Sequence, residues 1–424
     1  MRMLLQDRVD DSIAGGGLAV LAGFRQAWRS RLGRWGDTVF ELADAVLCAP
    51  GPVEDLARLS LEPVSTRGHG GVYQAVNNAW VDVDGVRADV AGLPLDRFPD
   101  GRIVLAVDAS NWLRPDAGTS PERLSCHVHG RSRGQDAIIP GWPYQWVAAL
   151  EAGQGSWTRL LDVERIGPDT DETELTVLQV RRVVAGLADA GHHREGDPAV
   201  MAVMDAGYNL ARLAWLLRDD PVQIVGRVRS DRVYRLPAPE PDAVRVGRPA
   251  RHGDRFELID EKTWPEPSVA LERESASYGH VTVTAFDRVH PLLARASGGW
   301  GDHEGNLPLI EGTLVRVYPE HLYGDRAPQP LWLWTPRTGL SADDVDSCWM
   351  AYLRRFDIEH TFRFLKQHLG WTKPMLRSSD AADRWTWLIL ACHTMLGLAR
   401  SATADLRLPW QPKSPQVLTH TVSV

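Results

Sequence analysis

Four residues near the C-terminus have the types and spacing to handle a phosphodiester. Tyr352, Arg355, Glu359 and Lys366 stand at successive offsets of three, four and seven. At about 3.6 residues per turn, this spacing predicts one helix carrying a phenol, a guanidinium, a carboxylate and an ammonium on a single face. Phe356, Phe362, Phe364 and Leu365 supply apolar surface around it. One acid flanked by two cations suits a site that holds a metal ion and the phosphates of a nucleic acid. Taken alone, the pattern would also describe an ordinary amphipathic helix with a charged face.

Two upstream aspartates could complete such a site. Ile103 to Val107 is a continuous apolar run that ends in Asp108, and Ala199 to Met204 is a second that ends in Asp205. Runs of this length and composition suit strands buried on both faces, with the acid at the strand end pointing into a cleft. Gly207 and the apolar-periodic stretch Leu210 to Leu217 follow the second run and predict a helix. Either aspartate alone would read as well as an N-cap or turn residue. Two strand-terminal acids and a later helical Glu are a means of gathering hard oxygen ligands from distant sequence.

The pattern Tyr-x2-Arg-x3-Glu-x6-Lys, with Asp108 and Asp205 upstream, resembles the YREK signature of bacterial insertion-sequence transposases of the DDE superfamily. The resemblance implies an α/β fold, with an RNase H-like mixed sheet flanked by helices. It implies Asp108, Asp205 and Glu359 as catalytic residues that hold two Mg²⁺ or Mn²⁺ ions, and Tyr352, Arg355 and Lys366 on DNA phosphates. Trp300, in a Gly-flanked loop, is the candidate for stacking on a displaced base, although a turn-packing role suits it too. The implied partners are double-stranded DNA, as element terminal inverted repeats and target, and a second copy of the chain when DNA is bound. Two alternatives stay open: an RNase H-like nuclease without strand transfer, and an inactive DNA-binding remnant.

The elements that must position these residues divide the chain. Residues 1–95 predict a helical domain, with Leu18, Leu21, Phe24, Trp28 and Leu32 at helical spacing. Residues 96–224 and 341–408 would form the two parts of the catalytic core, and 409–424 a tail without helical period. Between them, residues 225–340 predict a β-rich insertion, with strand-like runs at Val281 to Phe286, Thr313 to Tyr318 and Leu331 to Thr335 among Gly and Pro breakers. Leu124 to Gly130 reads as a strand, with Ala137–Ile139 and Tyr144–Ala148 as weaker ones separated by Pro140.

Composition sets limits on the function. The net charge of −8 argues mildly against DNA binding, but the charge is uneven. Arg25, Arg29, Arg31 and Arg34 form one basic cluster, and eight Arg lie between Arg227 and Arg255 against four acids. The four cysteines are scattered and point to a reducing cytoplasm. Cys126, His127 and His129 lack a second ligand pair at zinc spacing. No GxxxxGK loop or GxSxG elbow occurs, which argues against nucleotide-triphosphate use and serine hydrolysis. The longest apolar stretch, Trp385 to Ala399, predicts a buried helix rather than a membrane span.

Overall fold

The computed structural model describes residues 11–128, 137–153, 155–239, 250–275, 278–296, 298–322 and 327–400. His129 and the 409–424 tail lie outside them. The chain forms two compact units, the first of residues 1–99, 106–197 and 356–424 and the second of residues 100–105 and 198–355.

The first unit opens with five helices, α1 (Asp11–Ser30), α2 (Gly36–Cys48), α3 (Leu56–Leu59), α4 (His69–Asn78) and α5 (Val83–Ala91). The apolar stripe expected on α1 is real in its second half, where Phe24 and Trp28 are buried, but Leu18 is half exposed. Three of the four Arg in the cluster here, Arg25, Arg29 and Arg31, are matched to carboxylates. Arg25 pairs with Asp44 at 2.6 Å, Arg29 with Asp37, and Arg31 with Asp82 and Asp89. Guanidiniums already matched to carboxylates have less to offer a phosphate.

Strand β1 (Val104–Leu113) begins in the second unit, where the Met201 N–H donates to the Ile103 carbonyl at 2.9 Å, and runs on into the first. There β2 (Leu124–Val128), β3 (Ala137–Leu150) and β1 are neighbours in that order, and β4 (Thr158–Arg165) pairs antiparallel with β3. The two weak strands expected on either side of Pro140 are one strand of 14 residues. Pro140 does not break it. It faces Ser125 in the ladder and offers its carbonyl to the Arg114 N–H at 2.7 Å, so the missing proline N–H costs little. Helix α6 (Glu172–Asp189) is started by Asp171, which accepts from the N–H groups of Thr173 and Glu174.

The second unit carries β5 (Val200–Met204), α7 (Leu210–Leu216), β6 (Val222–Val228), β7 (Val233–Arg235), β8 (Arg255–Glu257), β9 (Val269–Ser275), β10 (Gly279–Pro291), β11 (Gly312–Pro319), β12 (Leu331–Thr335) and α8 (Ala342–Arg354). Its strand order is β5-β6-β12-β11-β10-β7-β8, with β9 on β10. β5 and β6 pair in parallel, whereas β6–β12, β12–β11 and β11–β10 pair antiparallel, so the sheet is mixed. Phe256, Trp264, Phe286 and Trp332 form an aromatic cluster among its strands. Ser341 and Asp344 close a capping box at the start of α8.

The chain returns to the first unit with α9 (Phe356–Gln367) and α10 (Ser379–Ala399). Helix α10 is buried along most of its length, as its apolar run predicts. It packs on α1, α2, α4 and β4. Trp371 sits against Trp112, Tyr144 and Trp146 nearby. The fold as a whole is α/β, a mixed sheet with flanking helices, consistent with an RNase H-like core. Among the described residues no helix is long and apolar enough to cross a membrane.

Candidate active site

The four signature residues do not share one helix. Tyr352 lies in α8, Arg355 caps it, and Glu359 and Lys366 lie in α9. Arg355 keeps helical dihedrals, φ −52° and ψ −33°, but its N–H reaches back to Tyr352 and Leu353 rather than continuing the i−4 ladder. The break coincides with the boundary between the units, so each half of the signature serves a different core.

In the second unit, Tyr352 and Arg355 converge on Asp205. All five residues of β5 are buried, and Asp205 follows at the strand end with its side chain 38% exposed. The Tyr352 hydroxyl donates to Asp205 Oδ1 at 3.2 Å, and Arg355 Nη2 lies 3.8 Å from Oδ2. Both side chains are sealed from solvent, Tyr352 at 1% and Arg355 at 2% exposure. Burial, then the neighbouring Asp205 charge, pushes the Tyr352 phenol above its ordinary pKa, so it stays a hydrogen-bond donor. The Arg355 guanidinium also lies over the Tyr352 ring, 5.8 Å from its centre.

A third partner was not singled out from the sequence. The parallel register sets Met204 beside Gly226, so Arg227 emerges next to Asp205, with Nη1 at 3.7 Å from Oδ1. Gly226 is needed at this point because a Cβ there would stand 2.2 Å from Leu210 Cδ2. Its absence lets α7 seat directly on β6. The basic run from Arg227 onward was visible in the sequence. Its attachment to Asp205 depends on strand register, which sequence does not reveal.

A cleft of about 400 Å³ opens beside Asp205, lined by residues 206–211, Arg227, Arg229, Arg232 and Trp300 among others. Asn209 caps α7 and donates to the Gly298 carbonyl at 2.8 Å, tying the Trp300 loop to the helix. Gly299 takes φ +70° in that loop. Trp300 is 3% exposed and packs edge-on against Trp215 and His303, so its ring fills the wall of the cleft rather than standing free in it.

The first unit holds Asp108, Glu359 and Lys366. Asp108 is not at a strand end as expected but within β1, which continues to Leu113. It is half-buried directly after the sealed run Val104–Val107, and its Oδ1 accepts from the Ala109 N–H at 2.9 Å. Glu359 is exposed in the first turn of α9, whose Ile358, Thr361, Phe362 and Leu365 are buried. Lys366, in the last turn, lies 5.5 Å from the centre of the Trp371 ring. Burial lowers its ammonium to a pKa of about 8, against a small opposing pull from Cys126.

Among the described residues no three His, Cys, Asp or Glu side chains are grouped as a ready metal cage. The donor chemistry of Asp108, Asp205 and Glu359 nonetheless fits Mg²⁺ or Mn²⁺. All are hard carboxylates, and none is sealed into the core. A family model described as DDE superfamily endonuclease matches residues 22–289. No curated protein matches the chain.

Proposed function

Since this chain belongs to the DDE superfamily endonucleases, we propose that it is a transposase that cuts DNA at the ends of a mobile element and joins those ends to a target. DNA phosphodiester cleavage is the function its family carries. The observation that supports a catalytic role for Asp205 is its setting, an acid at the end of a buried parallel strand with a sealed phenol and guanidinium turned on it.

In this reading Asp108, Asp205 and Glu359 would hold the divalent ions, whose Lewis acidity would be the chemistry supplied to the cleavage. Tyr352 and Arg355 fix the orientation of the Asp205 carboxylate. Arg227, Arg229 and Arg232, at the rim of the cleft, meet the phosphates that flank the scissile bond. Lys366 adds a cation that a bound phosphate would hold charged to higher pH. A stacking role for Trp300 requires its loop to open, because the ring is packed on both sides.

The test is cleavage and joining of a duplex bearing candidate element ends with Mg²⁺. The parent chain should nick and then join the ends, and Asp205→Asn should do neither while still binding the duplex. Cleavage without joined products would leave a nuclease, and full activity in Asp205→Asn would remove Asp205 from the reaction.

A further inference from the structure

A second pocket in the same unit contains a cluster of cationic and imidazole groups that the cleavage reaction does not use. It measures about 270 Å³ and lies at the end of β10, walled by Arg251, His252, His290, Arg295 and the 305–309 segment. His290 is 1% exposed, and its Nε2 lies 2.8 Å from His252 Nδ1. A single proton is shared in that contact, so one ring donates and the other accepts. His290 Nδ1 is left buried with no hydrogen-bond partner. A buried polar atom without a partner is costly, and His290 is one of the residues that line this cavity.

The charge around the pocket identifies that ligand. Arg251 donates to the Leu307 carbonyl, and Arg295 to those of His303 and Gly305, so both brace the wall with neutral acceptors. Arg235, which faces His290 in the β7–β10 ladder, has a buried Nε without a partner. Among the described residues no carboxylate pairs with Arg235, Arg251 or Arg295, and the nearby Glu311 is engaged by Arg288 at 3.1 Å. Three guanidiniums without counter-ions produce a positive field that excludes a metal cation and attracts an oxyanion. Burial, followed by His252 and the flanking arginines, depresses His290 to a pKa of about 4, so its ring is neutral and can keep an N–H on Nδ1. Pro291, Leu292 and Pro308 supply apolar wall for a body attached to the anion.

We propose that this pocket binds a phosphate-class oxyanion, with His290 Nδ1–H as the buried donor and Arg251 and Arg295 as the cationic rim. The phosphate could be carried by DNA or be free in solution. Either source satisfies the same donors, and the site does not depend on whether the chain cuts DNA.

Calorimetric titration of the full chain with inorganic phosphate, at constant ionic strength in sodium chloride, tests the site. The parent should show saturable binding. Arg251→Gln and Arg295→Gln, both at exposed positions, should weaken it by about tenfold or more, the scale of one charge-assisted hydrogen bond. His290→Gln should do the same, and if it melts early the two arginine variants decide. A 5′-phosphorylated duplex separates the sources. If phosphate competes with that duplex, DNA supplies the ligand. If phosphate binds without competing, the free ion is the ligand. Absence of saturable binding in the parent, or equal binding in all three variants, overturns the proposal.

Discussion

The Tyr352 hydroxyl donates to Asp205 Oδ1 at 3.2 Å from a position almost fully out of solvent. This placement supports the proposal that the phenol orients the carboxylate. Tyr352→Phe keeps the ring and its packing but frees the carboxylate. Partners that orient a metal ligand typically contribute about 10–100-fold. Cleavage by the variant should fall within that range, with a raised Mg²⁺ requirement and an unchanged melting temperature. A variant that matches the parent at every Mg²⁺ concentration would show that Asp205 needs no such support.

Arg355 and Arg227 both approach Asp205, but from opposite environments, with side chains 3% and 49% exposed. Arg227→Gln should lower the salt slope of DNA binding by roughly one unit, as expected for the loss of one phosphate contact. Arg355→Gln should leave that slope unchanged. It should instead destabilise the fold by about 1–3 kcal/mol, because the substitution replaces a guanidinium sealed into the packing beside a partly exposed Asp205. Filter binding across a salt series, paired with denaturant melts, distinguishes the two roles, and reversed assignments would refute them.

Glu359→Gln should abolish metal-dependent cleavage and leave metal-free melting within about 0.5 kcal/mol of the parent, since the residue is exposed and Gln is a comparable helix former. Cleavage at the parental rate would exclude Glu359 as the third acid.

Lys366 predicts a pH dependence of definite sign. Its folded pKa of about 8 lies below the ordinary Lys value. Below pH 8 the ammonium is charged in both folded and unfolded chains, and folding bears its desolvation. From about pH 8 to the unfolded pKa near 10.4, the unfolded chain binds more protons, so this residue makes stability rise with pH. Lys366→Met should remove that rise and stabilise the protein at neutral pH, by of order 1 kcal/mol. Where DNA recharges Lys366, binding takes up a proton, and affinity should weaken above pH 8 in the parent only. Melts and DNA titrations from pH 6.5 to 9.5 would reveal either dependence or its absence.

Gly226→Ala should destabilise the second unit by roughly 1–3 kcal/mol, because the new methyl meets Leu210 at 2.2 Å. Asp205 follows the strand paired with Gly226, so cleavage should drop with stability. A neutral substitution would mean that α7 shifts freely.

Much of this arrangement was legible in the sequence because burial leaves a plain imprint. Val104–Val107 and Val200–Met204 are apolar without alternation, as strands covered on both faces must be; β5 ends before Asp205 as expected, whereas β1 runs on past Asp108 to Leu113 with Ser110 and Trp112 buried. The fold class came through the family resemblance that those two aspartates and the Tyr352–Lys366 signature carry. The helix break at Arg355 was not legible, since every residue from Tyr352 to Lys366 is a tolerable helix former and the break reflects which core each half joins. The long β3 was hidden by prolines that a ladder tolerates at non-donating positions. The neighbours of Asp205 depended on register, and the neutralisation of Arg25, Arg29 and Arg31 on tertiary pairing, neither of which has a local sequence signal.

Helix α10 has a consequence for how the protein comes into being. The helix lies against α1, α2, α4 and β4, elements that leave the ribosome more than two hundred residues earlier. During synthesis those elements must wait with apolar faces uncovered until α10 emerges, a state open to aggregation and to proteolysis. A chain cut short before Ser379 would leave those faces of the first unit uncovered, and its folded yield should fall.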